Sequence, residues 1–233
     1  MPLREHDHKT VRGLGLFREM SDASFTGLLR GAFLQRFPAR VQLITEEEPA
    51  DFLYVAVEGR VELFASANNR DSTIAIVEPV ATFILAAAVK DAVYLMSART
   101  LEACRLLMIP SVNVREAFDQ DSAFAQAMAV ELATRYREVV KALKNQKLRT
   151  GLERLANYLL GQQAKVGLGR FELGMEKATL ASYLGMTPEN LSRALASLRA
   201  YGVEVEGSRV TLGDIKALTT LAKPAPLIDD PST

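Results

Sequence analysis

The chain of 233 residues contains one cysteine, two histidines and no tryptophan. A single thiol, Cys104, excludes an intramolecular disulfide and any iron–sulfur cluster held by several thiolates of one chain. With imidazoles only at His6 and His8, the usual general acid/base and metal-ligand patterns are missing, and no Gly-rich phosphate loop or nucleophile motif replaces them. No enzymatic activity is therefore expected. Long apolar runs are absent too. The longest, "VATFILAAAVKDAVYLM" from Val80, is broken by Lys90 and Asp91 and is too short and too charged for a membrane span. The start, "MPLREHDHKTVRG", lacks the apolar centre of a secretory signal, so a cytoplasmic protein without membrane contact is expected. Net charge is also missing, with 28 basic against 28 acidic residues. Its distribution is uneven: residues 141–233 hold 13 Lys and Arg against 9 Asp and Glu, which concentrates positive charge at the carboxy-terminal end.

What is present falls into distinct stretches. "SDASFTGLLRG" (21–31) reads as a short helix opened at Ser21 or Asp22 and closed at Gly31. From Phe33 to Pro110 come short apolar or alternating runs, "FLQRF", "VQLIT", "FLYVAVEG", "RVELFAS", "STIAIVE" and "CRLLMIP", punctuated by Pro38, Pro49, Gly59, the "NNRD" turn, Pro79 and Pro110. That spacing predicts a β-roll or barrel. Residues 122–148 then run without Gly or Pro. Ala125, Ala129, Leu132, Tyr136, Val139 and Leu143 recur there at alternating steps of four and three, the spacing of a two-stranded coiled-coil seam and so of a homodimer, although a lone helix packed against its own domain would show similar residues.

The last stretch predicts helices over 150–164, 176–184 and 187–200, with a tight turn at Gly185 and a hairpin turning at Glu206-Gly207-Ser208. Helix, short turn, helix and hairpin make a winged helix-turn-helix. The fold class is therefore α+β. The expected division is a β-roll domain over residues 1–120, a dimerisation helix over 121–148, a winged helix-turn-helix domain over 149–223, and a Pro-rich tail over 224–233 expected to be disordered. Thr187 suits an N-cap and Pro188 the first helical position. Leu191, Ala194, Leu195 and Leu198 mark one buried face, and Glu189, Asn190, Ser192, Arg193, Ser197 and Arg199 the other.

The stretch "FELGMEKATLASYLGMTPENLSRALASLRAYGVEVEGSRVTL" resembles the DNA-binding domain of the CRP/FNR superfamily of bacterial transcription regulators. The β-roll ending in "LLMIP" and the long helix follow the same family order over roughly residues 12–220. The resemblance implies that the second helix of the pair enters the major groove of double-stranded DNA. Glu189 could accept from a cytosine amino group, Arg193 could pair with guanine, and Ser192 is short enough for either. These three match the E-x-x-S-R pattern of the FNR-like branch, which reads TTGA-type half-sites in an inverted repeat; Pro188 and Ser192 depart from the CRP-like branch. Thr187, Thr179, Lys177 and Arg209 are candidates for phosphate contacts. RNA polymerase is the partner implied by the family.

The β-roll's input is less defined. Where the family's cyclic-nucleotide binders carry a Gly-Glu and an Arg-Ser pair, this chain has Phe83-Ile84-Leu85 and Tyr94-Leu95, leaving no cation for a buried phosphate. Cyclic AMP is not expected. The same five residues could line an apolar pocket for a small apolar or aromatic effector, with Tyr94 as a polar handle. The alternatives are a core that responds to nothing, and a haem-dependent sensor of carbon monoxide or nitric oxide using His6, His8 or Pro2. A winged helix that binds protein instead of DNA is a further reading. Arg99 is expected to face water unless it holds a carboxylate, and Cys104 to be an inert core residue and not a redox switch.

Overall fold

The computed structural model describes residues 5–68 and 70–230, with side chains from Asp7 onward. Two compact units, 1–135 and 136–233, divide inside the long helix.

In the first unit, helices α1 (Glu5–Arg12) and α2 (Asp22–Leu28) precede a β-roll, and Ser21 caps α2 by accepting from the Ser24 amide. The strands are β1 (Phe33–Phe37), β2 (Gln42–Ile44), β3 (Phe52–Glu58), β4 (Val61–Ala67), β5 (Arg70–Val77), β6 (Ala81–Phe83), β7 (Ser97–Thr100) and β8 (Cys104–Pro110), with helix α3 (Leu85–Lys90) after β6. They form two antiparallel sheets, ordered β1-β8-β3-β6 and β2-β7-β4-β5. Strand β3 is buried on both faces, which explains its unbroken apolar run "FLYVAV". Its Tyr54 and Ala56 face the roll interior with Ile44, Val61, Leu63, Phe83 and Leu106. Leu53 and Val55 face the helices, meeting Phe17, Phe25 and Leu28. Gly59 closes the β3–β4 turn at φ 75°, where an added Cβ would sit 2.4 Å from the Ala103 carbonyl, so only glycine fits.

Helix α4 (Ser111–Gln120) leads to α5 (Ser122–Leu148), whose bounds match the predicted helix. Asp121 accepts from the amides of Phe124 and Ser21, each at 3.0 Å, and so opens α5 while pinning the start of α2. The Phe124 amide, then the Ser21 amide, hold its carboxyl down to about 2. Phe124 and Met128 bury the first half of α5 in the helix-side core, with Leu132 half-buried against it.

The second unit holds the rest of α5, then α6 (Gly151–Val166), β9 (Arg170–Glu172), α7 (Lys177–Tyr183), α8 (Pro188–Leu198), β10 (Val203–Glu206), β11 (Arg209–Leu212), α9 (Ile215–Ala222) and α10 (Pro226–Asp229). Thr150 and Glu153 form a reciprocal capping box at the start of α6. The three strands make one sheet, β10-β11-β9, and the hairpin turns on Gly207 and Ser208. Leu155, Leu159, Leu180, Leu191, Leu198 and Leu218 share one core. Two elements of this unit were not anticipated. Helix α9 docks on α6, where Asn157 donates to the Ala222 carbonyl at 2.7 Å. Helix α10 lies in the tail expected to be disordered; its Asp229 is ion-paired to Arg149, which gives that turn an anchor. No helix among the described residues is long and apolar enough to cross a membrane.

Candidate nucleic-acid interface and β-roll interior

Helix α8 starts as its sequence dictates. Thr187 takes an extended conformation and accepts from the Asn190 amide at 3.2 Å, and Pro188 occupies the first turn, where its missing N–H costs nothing. Leu191, Ala194 and Leu198 point into the core, leaving Glu189, Asn190, Ser192, Arg193 and Ser197 exposed on the opposite side. The face is organised. Arg193 Nη2 donates to Asn190 Oδ1 at 2.6 Å, and Ser197 donates to the Arg193 carbonyl at 3.0 Å. The Glu189 carboxyl is lowered from its ordinary value by its own backbone amide first, then by the Thr187 hydroxyl and by Arg193, so Glu189 is an acceptor at neutral pH. Asn190 was on the polar face but not among the predicted contacts, and its bond to Arg193 fixes where that guanidinium points.

The other candidates are spread over neighbouring elements. Lys177 is exposed at the first position of α7 and Thr179 is half-buried two residues on. Arg209 opens β11 in the wing, 3.8 Å from Glu172 of β9, with both side chains mostly exposed. A phosphate at Arg209 would have to compete with that carboxylate.

The turn between α7 and α8 depends on a residue that the sequence reading passed over. Arg154 of α6 is 9% exposed, and its guanidinium donates to the carbonyls of Leu184 at 2.8 Å, Arg149 at 2.6 Å and Gly185 at 3.3 Å. Burial alone lowers its pKa. Gly185 takes φ 62°, and a Cβ there would lie 2.7 Å from the Gln146 side chain. The available signal was a cation on the apolar stripe of Leu155, Ala156 and Leu159. Replacing Arg154 with Met strands three carbonyls and is expected to lower the stability of the second unit by about 3 kcal/mol, seen as an earlier thermal transition. Lys should recover only part, because an ammonium lacks the planar fork.

In the first unit, the five predicted pocket residues do not share one cavity wall. Phe83 and Tyr94 are buried in the roll interior, with Ile84 half-buried beside them. Tyr54 stacks on Phe83 at 5.2 Å between ring centres. Burial, then the nearby Tyr94, raises the Tyr54 hydroxyl well above its ordinary value, and burial also raises that of Tyr94. Leu85, however, turns into the helix-side core, because Ile84 takes a left-handed φ of 64° and redirects the chain between them. Leu95 is 79% exposed and lines neither core. Arg99 neither faces water freely nor awaits a ligand: it pairs with Glu62 at 2.6 Å and Asp71 at 2.7 Å and lies over the Phe64 ring. Cys104 is buried, its sulfur 3.3 Å from the carbonyls of Arg60 and Glu102, and burial raises its pKa, so the thiolate is disfavoured. His8 is exposed on α1, near the Phe25 ring; Pro2 and the His6 side chain lie outside the described residues.

The dimer-seam candidates lie along α5. Ala125 and Leu132 are half-buried, Ala129 is exposed, and Tyr136, Val139 and Leu143 are 70%, 64% and 55% exposed. Large apolar side chains at seam spacing thus stand unpartnered over the second half of the helix.

Comparison with known proteins places this architecture. Residues 34–121 match the cyclic nucleotide-binding domain and residues 153–221 the Crp-like helix-turn-helix domain, together more than half of the chain. No curated protein matches. Among solved structures, the chain is similar to a Silicibacter pomeroyi protein named for cAMP-binding regulation, at 25% identity over 95% of this chain and 100% of that one, TM-score 0.61. It is also similar to FixK2 of Bradyrhizobium japonicum, at 22% identity over 83% and 98%, TM-score 0.72. A Eubacterium rectale structure named as a transcriptional regulator of the Crp/Fnr family has 17% identity over 91% and 99%, TM-score 0.75, and shares the fold. With a cyclic nucleotide-binding domain, a long helix and a Crp-like helix-turn-helix in that order, the chain belongs to the CRP/FNR superfamily of transcription regulators.

Proposed function

We propose that the protein acts as a homodimer, joined along the second half of α5, whose two α8 helices read an inverted repeat of FNR-like, TTGA-type half-sites. The observation that carries this reading is the ordered exposed face of α8, on which Arg193, Asn190 and Glu189 are positioned by the Thr187 cap and by one another. Arg193 supplies a guanine contact, Glu189 a cytosine contact, and Ser192 stands between them. Lys177, Thr179, Thr187 and Arg209 set register on the phosphates. Transcription is controlled through RNA polymerase, as family membership supports. Binding to an inverted-repeat duplex, compared with a scrambled one across a salt series, tests the claim. A steep fall in affinity with salt on both duplexes and tighter binding to the repeat are expected. Equal binding to both rejects the sequence reading, and absent or salt-independent binding favours a protein partner.

The cAMP named for the Silicibacter pomeroyi relative does not transfer to this chain. Every cation of the roll is exposed or half-buried, Arg60, Arg99 and Arg105 are paired to carboxylates, and the interior is lined by Tyr54, Phe83 and Tyr94. A cyclic phosphate there would be buried without a counter-charge. The residues do not fit that nucleotide and better suit an uncharged aromatic effector. Millimolar cAMP is expected to change neither the melting temperature nor operator affinity; a clear shift of either would overturn the exclusion.

A further inference from the structure

The end of the described chain is bound to the joint between the long helix and the winged domain. Arg149 is the first residue after α5, and only Thr150 separates it from α6. Its side chain is 6% exposed and meets Asp229 of α10 in a two-pronged pair, with Nη1 to Oδ1 at 2.7 Å and Nη2 to Oδ2. The same Nη1 donates to Asn145 Oδ1 at 3.0 Å, one turn back in α5. Lys141, a further turn back, donates through Nζ to the Asp230 carbonyl at 2.7 Å. At the other end, the Ala225 amide donates to Asp229 Oδ2 at 2.6 Å, so the carboxylate also closes its own turn. The segment starts from α9, which is fixed to α6 through Asn157. The path therefore closes a ring: α5, the joint, α6, α9, α10, and back to α5.

From this closed ring we infer that residues 224–230 are a strap that locks the angle at the α5–α6 joint, and so the direction in which the winged helix-turn-helix leaves the second half of α5. Two-residue joints leave about four free dihedrals, and a charge-assisted, two-pronged guanidinium–carboxylate pair across them, with the Arg149 side chain 6% and the Asp229 side chain 29% exposed, restricts those dihedrals more than a fully solvent-exposed pair would. The Arg149 carbonyl also accepts from Arg154, whose guanidinium holds the α7–α8 turn. A change at the strap thus reaches the recognition helix through one shared residue. Opening the strap gives the winged unit more orientations, and operator binding then carries the cost of selecting one of them.

Amide hydrogen exchange on the full chain tests this. Asp229→Ala is expected to speed exchange over residues 145–154 roughly tenfold, while β3 and β8 stay unchanged. The reversed pair, Arg149→Asp with Asp229→Arg, should restore much of the protection, which a general loss of folding would not. Unchanged exchange in Asp229→Ala, or no recovery in the reversed pair, overturns the strap. The effect on DNA rests on the operator reading above: a loss of affinity of roughly fivefold is expected for Asp229→Ala. Faster exchange with unchanged affinity would overturn the control of orientation. If the wild-type chain binds no operator, the reading of function fails, and the exchange experiment still decides the strap.

Discussion

Replacing Arg193 with Ala is expected to weaken operator binding about a hundredfold or more while leaving the melting temperature nearly unchanged. Each bidentate arginine–guanine contact is worth about 1–3 kcal/mol, and a dimer makes two of them. The cost to the fold is small because the side chain is exposed and its hydrogen bond is to Asn190 on the same surface. The loss should be concentrated at one base pair of each half-site, so that selected sites become degenerate there. Lys177→Ala provides the contrast: a uniform loss across sequences, with the salt slope reduced by about one per contact removed. An Arg193→Ala protein with wild-type affinity and site preference would remove α8 from the interface.

Leu143→Lys is expected to convert the proposed dimer to monomer at micromolar concentration, as read by sedimentation velocity, and to lower operator affinity with it. Leu143 is 55% exposed in the single chain, and Tyr136 and Val139 flank it along the same seam. Pairing two copies removes these apolar surfaces from water, about 1.5–3 kcal/mol for each leucine fully buried, and a lysine at that position instead places like charges across the symmetry axis. Helix α5 itself should survive, because lysine is a good helix former and the position touches none of its own domain's core. A dimer of undiminished strength would move the seam elsewhere, the first candidate being Val130, which is 67% exposed on another side of α5.

The elements that local pattern marks strongly were legible in the sequence. The ends of α5 follow from an uninterrupted run between Asp121 and the Thr150 cap, and α8 from its cap, its proline and its spacing of leucines. Strands β6 and β7 were missed because they have three and four residues, too few for alternation to show. The supposed pocket failed at Leu85 for a backbone reason: one left-handed residue, Ile84, separates Phe83 from Leu85 and sends them to different cores, an event that composition does not encode. The order in the tail was hidden because Arg149 and Asp229 are 80 residues apart, and Pro and Asp content alone reads as loop. Arg154 was concealed differently, as a charge within an apolar helix whose partners are backbone carbonyls and therefore have no residue type to recognise.

Selection of bound duplexes from a random library by the full-length protein tests the central claim most directly. The expected outcome is an inverted repeat of TTGA-type half-sites with centres about one helical turn, roughly 34 Å, apart, whose guanine preference disappears when Arg193→Ala is selected in parallel. Enrichment of no sequence, of a single unrepeated half-site, or of the same repeat by Arg193→Ala would contradict a dimer that reads DNA through α8.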